Sequence, residues 1–463
     1  MAPISQPNQG PVLSVSDKKS MGKALRLQVP HALHAAATLP KKRVGPVEIL
    51  QRQAETRHPE LVPIRHARMM ANPFAFLRGT AALMAQDLAT QAQTKLKVQA
   101  CGDMHVANFG VFASAERSLI FAINDFDETH PAPWEWDLKR LTTSAMVAVE
   151  HLGGTRAHAE DAVRATVQSY RQWMRNYTEM GYLDIWYSRI DENNILNSLS
   201  KDARKRAESI FKKARSRNHL QVLDKLTDII DDQYHFKEEK PFVYRDPYTV
   251  NGTPIEDLIE SFLQQYFASL PEDRRYLVSR YRIADVARKV VGVGSVGTSC
   301  WIIFLQGKHE NDPLFLQVKQ GLTSVLEPYT QKSPYKNHGQ RIVVGQRLIQ
   351  GSPDIFLGYG RLEGVDFYVR QLRDMKGGLD IEPGQLNVAN FHEYTALCGW
   401  GLALAHAKSG HPAKIAGYLG KSESFDDAIW QFSQAYARQN ERDYDTFCKA
   451  VQSGVLPAAH PGS

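Results

Sequence analysis

CGDMHVANFG at residues 101–110, with INDFDE following at 123–128, decides how this chain is read. LKVQACGD (96–103) reads as a short strand running into a loop. FGVFASAERSLIFAIND (109–125) reads as a β-hairpin around the polar turn ASAERS. The hairpin would return the acidic tip Asp125-Phe126-Asp127-Glu128 to the loop at Asp103, since Asp125 follows Asn108 by 17 positions. Asp103 and Asn108 are spaced D-x-x-x-x-N. Phosphoryl transfer needs a carboxylate to orient the acceptor hydroxyl and oxygen ligands for Mg²⁺, and a loop of this spacing supplies both. A strand ending in a carboxylate is the usual source of the principal metal ligand. Two blander readings stand beside this: a polar loop whose side chains bond only backbone, and an acidic turn after a strand.

PAPWEWDLKR (131–140) opens a helix. Asp137 is read there as structural, capping the helix or holding the 101–108 loop by accepting backbone N–H bonds, and Arg140 is placed with it. Upstream, helical patterns run from Val47 to about Gln93, and Arg65, Arg68 and Arg78 surround PFAFLRG. Pairing with carboxylates is their expected role; binding an anionic substrate is the other. Residues 136–235 read as mostly helical. KDARKRAESIFKKARSR (201–217), the densest basic run, reads as a solvated helix face, since it lacks the interleaved series of aromatic stacking residues that single-strand binding requires.

The strand-rich block lies at 284–372. ARKVVGVGSVGTSCWIIFLQG places strands on both sides of Gly292-Val293-Gly294-Ser295-Val296-Gly297. A dinucleotide fingerprint would open a helix; a glycine loop between two strands covers phosphates by close backbone approach, or is a bare hairpin. DPLFLQVKQG is a third strand, and QRIVVGQRLIQ (340–350) and DFYVRQLRD (366–374) read as two more. Lys319 ends the third strand. Aiming its ammonium inward is costly without a partner; a phosphate and a carboxylate, with Glu327 nearest in sequence, would offset that, while a solvent-facing lysine needs neither. Residues 387–407 and 424–452 are helices.

These motifs, with PLFLQVKQGLTSVLE, are similar to the bacterial Domain of Unknown Function 2252 family over about residues 45–450. CGDMHVANFG, INDFDE and PWEWDL also resemble aminoglycoside and choline kinases of the protein-kinase-like superfamily, over about 40 residues. The order differs: here the catalytic-type loop precedes the glycine loop by about 185 residues, YVRQLRDMKGG (368–378) would be the hinge, and the helix usually preceding the catalytic loop is near the C-terminus. Cys101 stands where the kinase pattern has its first His, and Lys319 to Glu327 is only eight positions. The resemblance implies an α+β, circularly permuted two-lobe protein-kinase-like fold. Residues 1–45 would be a flexible segment, 46–236 a helical lobe with the catalytic and metal loops, 237–375 the glycine-loop lobe and hinge, and 376–463 helices completing the helical lobe. It implies ATP and Mg²⁺, with Asp103 and His105 catalytic, Asn108, Asp125 and Asp127 on the metal, and Gly292, Gly294, Ser295, Gly297, Lys319 and Glu327 on the nucleotide. The acceptor, small molecule or protein, is unnamed, as is the choice between phosphoryl and AMP transfer. The rivals are a metal-dependent phosphoesterase, which the Gly-Asp-x-His string also resembles, and a non-catalytic nucleotide-binding protein.

At 463 residues, 43% hydrophobic and 23% charged, the chain has ample material for a large core. Net charge is +6, mild for such a length. No apolar run reaches bilayer-spanning length, no secretory h-region opens the chain, and four scattered cysteines make no disulfide framework. The expectation is a cytoplasmic protein without a membrane span or a nucleic-acid partner.

Overall fold

The computed structural model describes residues 13–216, 219–230, 233–245, 255–290, 294, 296–372 and 375–459. It is α+β, with a large helical body and small antiparallel sheets.

The helical body centres on one helix that is buried almost throughout. Helix Trp134–His151 has nearly every residue buried, including Glu135, Asp137, Lys139 and Arg140. It packs with Arg156–Thr178, Phe391–Ser409 and Ser424–Gln452. Phe391–Ser409 is apolar on all sides and is buried accordingly. Its Gly399 is required for close approach, because a Cβ there would lie 2.3 Å from the Thr166 carbonyl oxygen. One position on, Trp400 stacks on Trp173 with centroids 3.9 Å apart.

Four short strands sit against this body: β1 (Lys97–Ala100), β2 (Phe109–Ala113), β3 (Leu119–Ile123) and β4 (His130–Pro133). β2 and β3 form the expected hairpin, and β1 pairs with β4. A third pair, β5 (Thr227–Ile230) and β6 (Gln233–Phe236), interrupts the stretch expected to be helical.

The remaining strands are β7 (Val243–Tyr244), β8 (Arg282–Lys289), β9 (Cys300–Gln306), β10 (Pro313–Gln320), β11 (Gly358–Leu362) and β12 (Val365–Gln371), ordered β11-β12-β10-β9-β8-β7 in one antiparallel sheet. Strand periodicity divides its faces. Leu314, Leu316 and Val318 of β10 pack under Phe262 and Tyr266 of helix Ile255–Ser269. Phe315, Gln317 and Lys319 alternate with them on the other face.

Two expectations need correction. Residues 340–350 are not a strand: His338–Ile349 is a helix, capped by the Asn337 side chain, which accepts from Gln340 N. Three β-branched residues in a row lose to that cap and to the buried Arg341, whose guanidinium donates to the carbonyls of Thr129, Asp127 and Leu322. Residues expected to be flexible at the N-terminus include helix Val15–Gln28, with a Ser14–Asp17 capping box, packed on Pro412–Leu419. Gly22 and Gly417 let those two backbones meet. All four cysteines are free, and no helix among the described residues is long and apolar enough to cross a membrane.

Candidate functional site

The loop after β1 is fixed from beneath by a carboxylate. Asp137, fully buried, accepts Cys101 N at 2.7 Å on Oδ2 and Gly102 N at 2.9 Å on Oδ1, and lies 3.3 Å from His406 Nε2. Gly102 has φ +86°, and a Cβ there would lie 2.5 Å from the Glu128 carbonyl oxygen, so glycine is needed for both conformation and space. Asn108 closes the loop onto the acidic tip. Its Oδ1 accepts Asp125 N at 2.8 Å, and its Nδ2 donates to the carbonyls of Asp103 and Asp125 at 3.2 and 3.1 Å. Cys101 Sγ donates to Asp125 O at 3.1 Å. Burial, followed by the nearby Asp137, Asp103 and Asp125, pushes this thiol well up, so it stays protonated and able to donate.

Asp103 is oriented by Arg140, whose Nε and Nη2 both donate to Oδ1, at 2.9 and 2.5 Å. Oδ2 has no donor within hydrogen-bond distance among the described residues and lies 3.8 Å from His105 Nε2. Burial, with the Arg78 and Arg140 charges, holds His105 well below the usual histidine range, so its imidazole is neutral.

Lys319 crosses from the sheet to the acidic tip. Its side chain is 3% exposed, and Nζ lies 2.8 Å from Asp127 Oδ2 and 3.9 Å from Asp125 Oδ2. Tyr368, opposite Lys319 in the β10–β12 register, donates its hydroxyl to Asp127 Oδ1 at 2.5 Å. Burial alone would raise the Asp127 carboxyl, but the Lys319 charge and these two hydrogen bonds hold it below the usual carboxylate range. Asp125 goes the other way, raised by burial and then by the Asp127 charge. Two register positions along, Gln317 accepts from Arg370 Nε at 3.0 Å, and Arg370 Nη1 donates to Asn124 O at 3.2 Å.

Tyr368, Arg370, Gln317 and Arg341 escaped the sequence reading. The first three did leave a signal, since polar groups alternate at i, i+2 on the inward face of two strands. Glu327 is a correction: it sits in a short 3-10 turn, Glu327–Tyr329, and the partners of Lys319 are Asp127 and Asp125. Arg65 is also corrected, donating to Gln53 Oε1 and Gly79 O rather than to a carboxylate.

Gly292 and Ser295 lie outside the described residues. Gly294 is exposed, and Gly297 has φ +88°. Arg57 holds this turn by donating to the carbonyls of Val296 and Gly294, and His58 N donates to Gly297 O at 2.7 Å. The glycine turn is therefore tied to the helical side of the molecule.

A cleft of 1360 Å³ gathers these parts: Asp103, His105, Asn108, Asp125, Gly294 and Lys319 all line it. Asp127, Gly297, Asp137, Arg140 and Glu327 are not among its lining residues. Among the described residues, ten lysines and arginines line the cleft against four aspartates, so it favours anions. The basic helix Lys201–Ser216 contributes Arg206, Ser209, Ile210 and Lys213 on one stripe, so one edge of it faces the cleft. Among the described residues no group of three or more His, Cys, Asp or Glu converges as a metal cage. Asn108, Asp125 and Asp127 offer hard oxygen donors, with Asp125 46% and Asp127 27% exposed. That set suits Mg²⁺, which commonly takes one or two carboxylates and completes its shell from phosphate and water.

The family whose description reads "Uncharacterized protein conserved in bacteria (DUF2252)" matches over residues 57–450, and the chain belongs to it. No curated protein and no solved structure matches.

Proposed function

We propose that this DUF2252 family member is an ATP- and Mg²⁺-dependent phosphotransferase, built on a protein-kinase-like fold in circularly permuted order and acting on a hydroxyl acceptor. One observation carries the reading: Lys319, delivered by the sheet, meets the Asp125–Asp127 tip in the same cleft as Asp103, although the chain separates them by some 200 positions. Kinase sites combine a strand lysine, a metal-binding aspartate, a loop asparagine and an acceptor-orienting aspartate. Lys319, Asp125, Asn108 and Asp103 line one cleft, where they would take those roles.

Asn108 and Asp125 would hold Mg²⁺, with Asp127 as a second carboxylate. The ion supplies charge neutralisation on the phosphates when bound. Lys319 pairs with phosphate oxygens, and backbone near Gly294 covers them. Asp103, steadied through Oδ1 by Arg140, offers Oδ2 to the acceptor hydroxyl, so positioning and electrostatics supply the catalysis. The departure from kinases is the lysine's counter-ion. Those enzymes use a helix glutamate, whereas the helix after β10, His338–Ile349, contains no acid, and Asp127 pairs with the ammonium instead.

The test is incubation with γ- and α-labelled ATP, Mg²⁺ and a metabolite extract. Wild type should move one label to an acceptor, the γ label for phosphoryl and the α label for AMP transfer. Asp103→Ala and Asp125→Ala should abolish transfer and keep the native circular dichroism spectrum. Full turnover in either variant refutes these roles. Hydrolysis of nitrophenyl phosphate with Mn²⁺ and no ATP would point instead to a phosphoesterase, and ATP·Mg binding without transfer or hydrolysis to a non-catalytic binder.

A further inference from the structure

Arg78 ends the short helix Pro73–Gly79 and lines the cleft together with Asp103, His105 and Gly294. Its backbone carbonyl lies 3.8 Å from where a Cβ on Gly294 would sit, so its backbone neighbours the glycine turn. The neighbouring arginines are engaged. Arg140 bonds Asp103 and Leu77 O, and Arg57 bonds the carbonyls of Val296 and Gly294. Arg78 has no ion pair or hydrogen bond among the described residues. Its guanidinium lies 5.8 Å from the Phe74 ring, and its buried Nε has no acceptor. Burying a cation in this state is unfavourable unless an anion completes it.

A second residue lining the cleft carries an unsatisfied group. His105 is 8% exposed, and its Nδ1 is buried without a partner among the described residues. Burial keeps the ring neutral, so it brings one N–H donor and no charge of its own. A planar guanidinium beside a single N–H donor matches the tetrahedral oxygens of a phosphorus oxyanion better than a lone carboxylate.

We propose that Arg78 and His105 form an oxyanion-binding site that holds a phosphate-type anion between Gly294 and Asp103. Its catalytic meaning rests on the phosphotransferase reading; its existence as an anion site does not. The anion is either the phosphoryl group in transfer or a phosphate carried by the acceptor, and the two sources can be separated by experiment.

Inorganic phosphate is titrated calorimetrically into the full chain and into Arg78→Gln, Arg78→Lys and Lys213→Gln, each first checked by its melting temperature. Lys213 is the control, an exposed lysine on the cleft rim. Loss of a charge-assisted forked contact should weaken phosphate about tenfold or more in Arg78→Gln. Arg78→Lys should fall several-fold, and it decides the matter alone if Arg78→Gln does not fold. Lys213→Gln should stay within about twofold, as screened exposed charges do. Unchanged affinity in the folded Arg78 variants, or an equal loss in Lys213→Gln, overturns the site.

The titration is repeated with ADP·Mg and with a non-hydrolysable ATP analogue and Mg²⁺. Phosphate that binds beside ADP but is displaced by the analogue assigns the site to the phosphoryl group. Phosphate that binds beside both assigns it to the acceptor. If neither nucleotide binds, the phosphotransferase reading falls while an Arg78-dependent phosphate site stands. If nucleotides bind and phosphate ignores Arg78, this inference falls alone.

Discussion

Replacing Lys319 with methionine should destabilise the protein by about 3 kcal/mol at pH 7, and by clearly less at pH 4.5. The ammonium lies 2.8 Å from Asp127 and 3.9 Å from Asp125. At an effective dielectric near 20 the closer attraction is about 6 kcal/mol before desolvation of the ammonium is set against it. Removing one partner of a buried pair costs about 3–5 kcal/mol. The lower end applies because the Asp127 side chain keeps 27% exposure, and Asp125, at 46%, adds little through solvent screening.

The pH dependence follows from Asp127. In wild type its folded pKa is depressed, so its stabilisation is present above the unfolded value of about 3.9 and is lost only as pH falls through the lower folded value. Without Lys319, burial and the Asp125 charge remain and push Asp127 upward. The folded variant then takes up a proton on acidification that the unfolded chain does not, which relieves the penalty. Urea unfolding followed by tryptophan fluorescence, at both pH values, measures this. Adding Asp127→Asn to Lys319→Met should recover most of the loss at pH 7. A deficit equal at the two pH values, below about 1 kcal/mol at pH 7, or additive in the double variant would refute the reasoning.

Asp137→Asn keeps an acceptor for only one of the Cys101 and Gly102 N–H groups and turns an amide donor toward the other; about 3 kcal/mol should be lost, read as a lowered urea midpoint, and transfer should fail because Asp103 shifts. Burial first raises the Glu128 carboxyl to about 7, despite the Val325 N–H it accepts. Its contribution is therefore complete below about pH 4.5 and lost as pH rises through about 7, a change of about 3 kcal/mol that Glu128→Gln should abolish in unfolding measured across that window. Gly399→Ala would place a methyl 2.3 Å from Thr166 O and force two central helices apart, costing about 2 kcal/mol as a lowered thermal midpoint.

The local chemistry was legible because it is local. Asp103, Asn108 and Asp125 lie within one strand–loop–hairpin unit, and hairpin geometry returns the tip to the loop whatever surrounds it. The position of Asp137 at a helix start was enough to suggest that it holds the loop through backbone N–H groups, and it accepts from Cys101 and Gly102. The strand reading of 340–350 failed for a non-local reason. A run of Ile342, Val343 and Val344 favours a strand, but the Asn337 cap and the carbonyls awaiting Arg341 on the acidic loop make the helix more stable.

Sequence alone determined which residue types meet: β1, the β2–β3 hairpin and β10 follow from period-two patterning, and carboxylate, amide and lysine positions follow from them. It could not determine which carboxylate Lys319 selects. Nearness in the chain favoured Glu327, yet pairing is decided by distance in space and by what else a carboxylate bonds. Only the folded sheet, by setting Tyr368 opposite Lys319, made Asp127 the acidic group that both can reach. The same holds for Arg78, whose lack of an ion pair or hydrogen bond among the described residues is a property of the cleft around it, since burial and unmet hydrogen bonds exist only once distant segments have closed over a side chain.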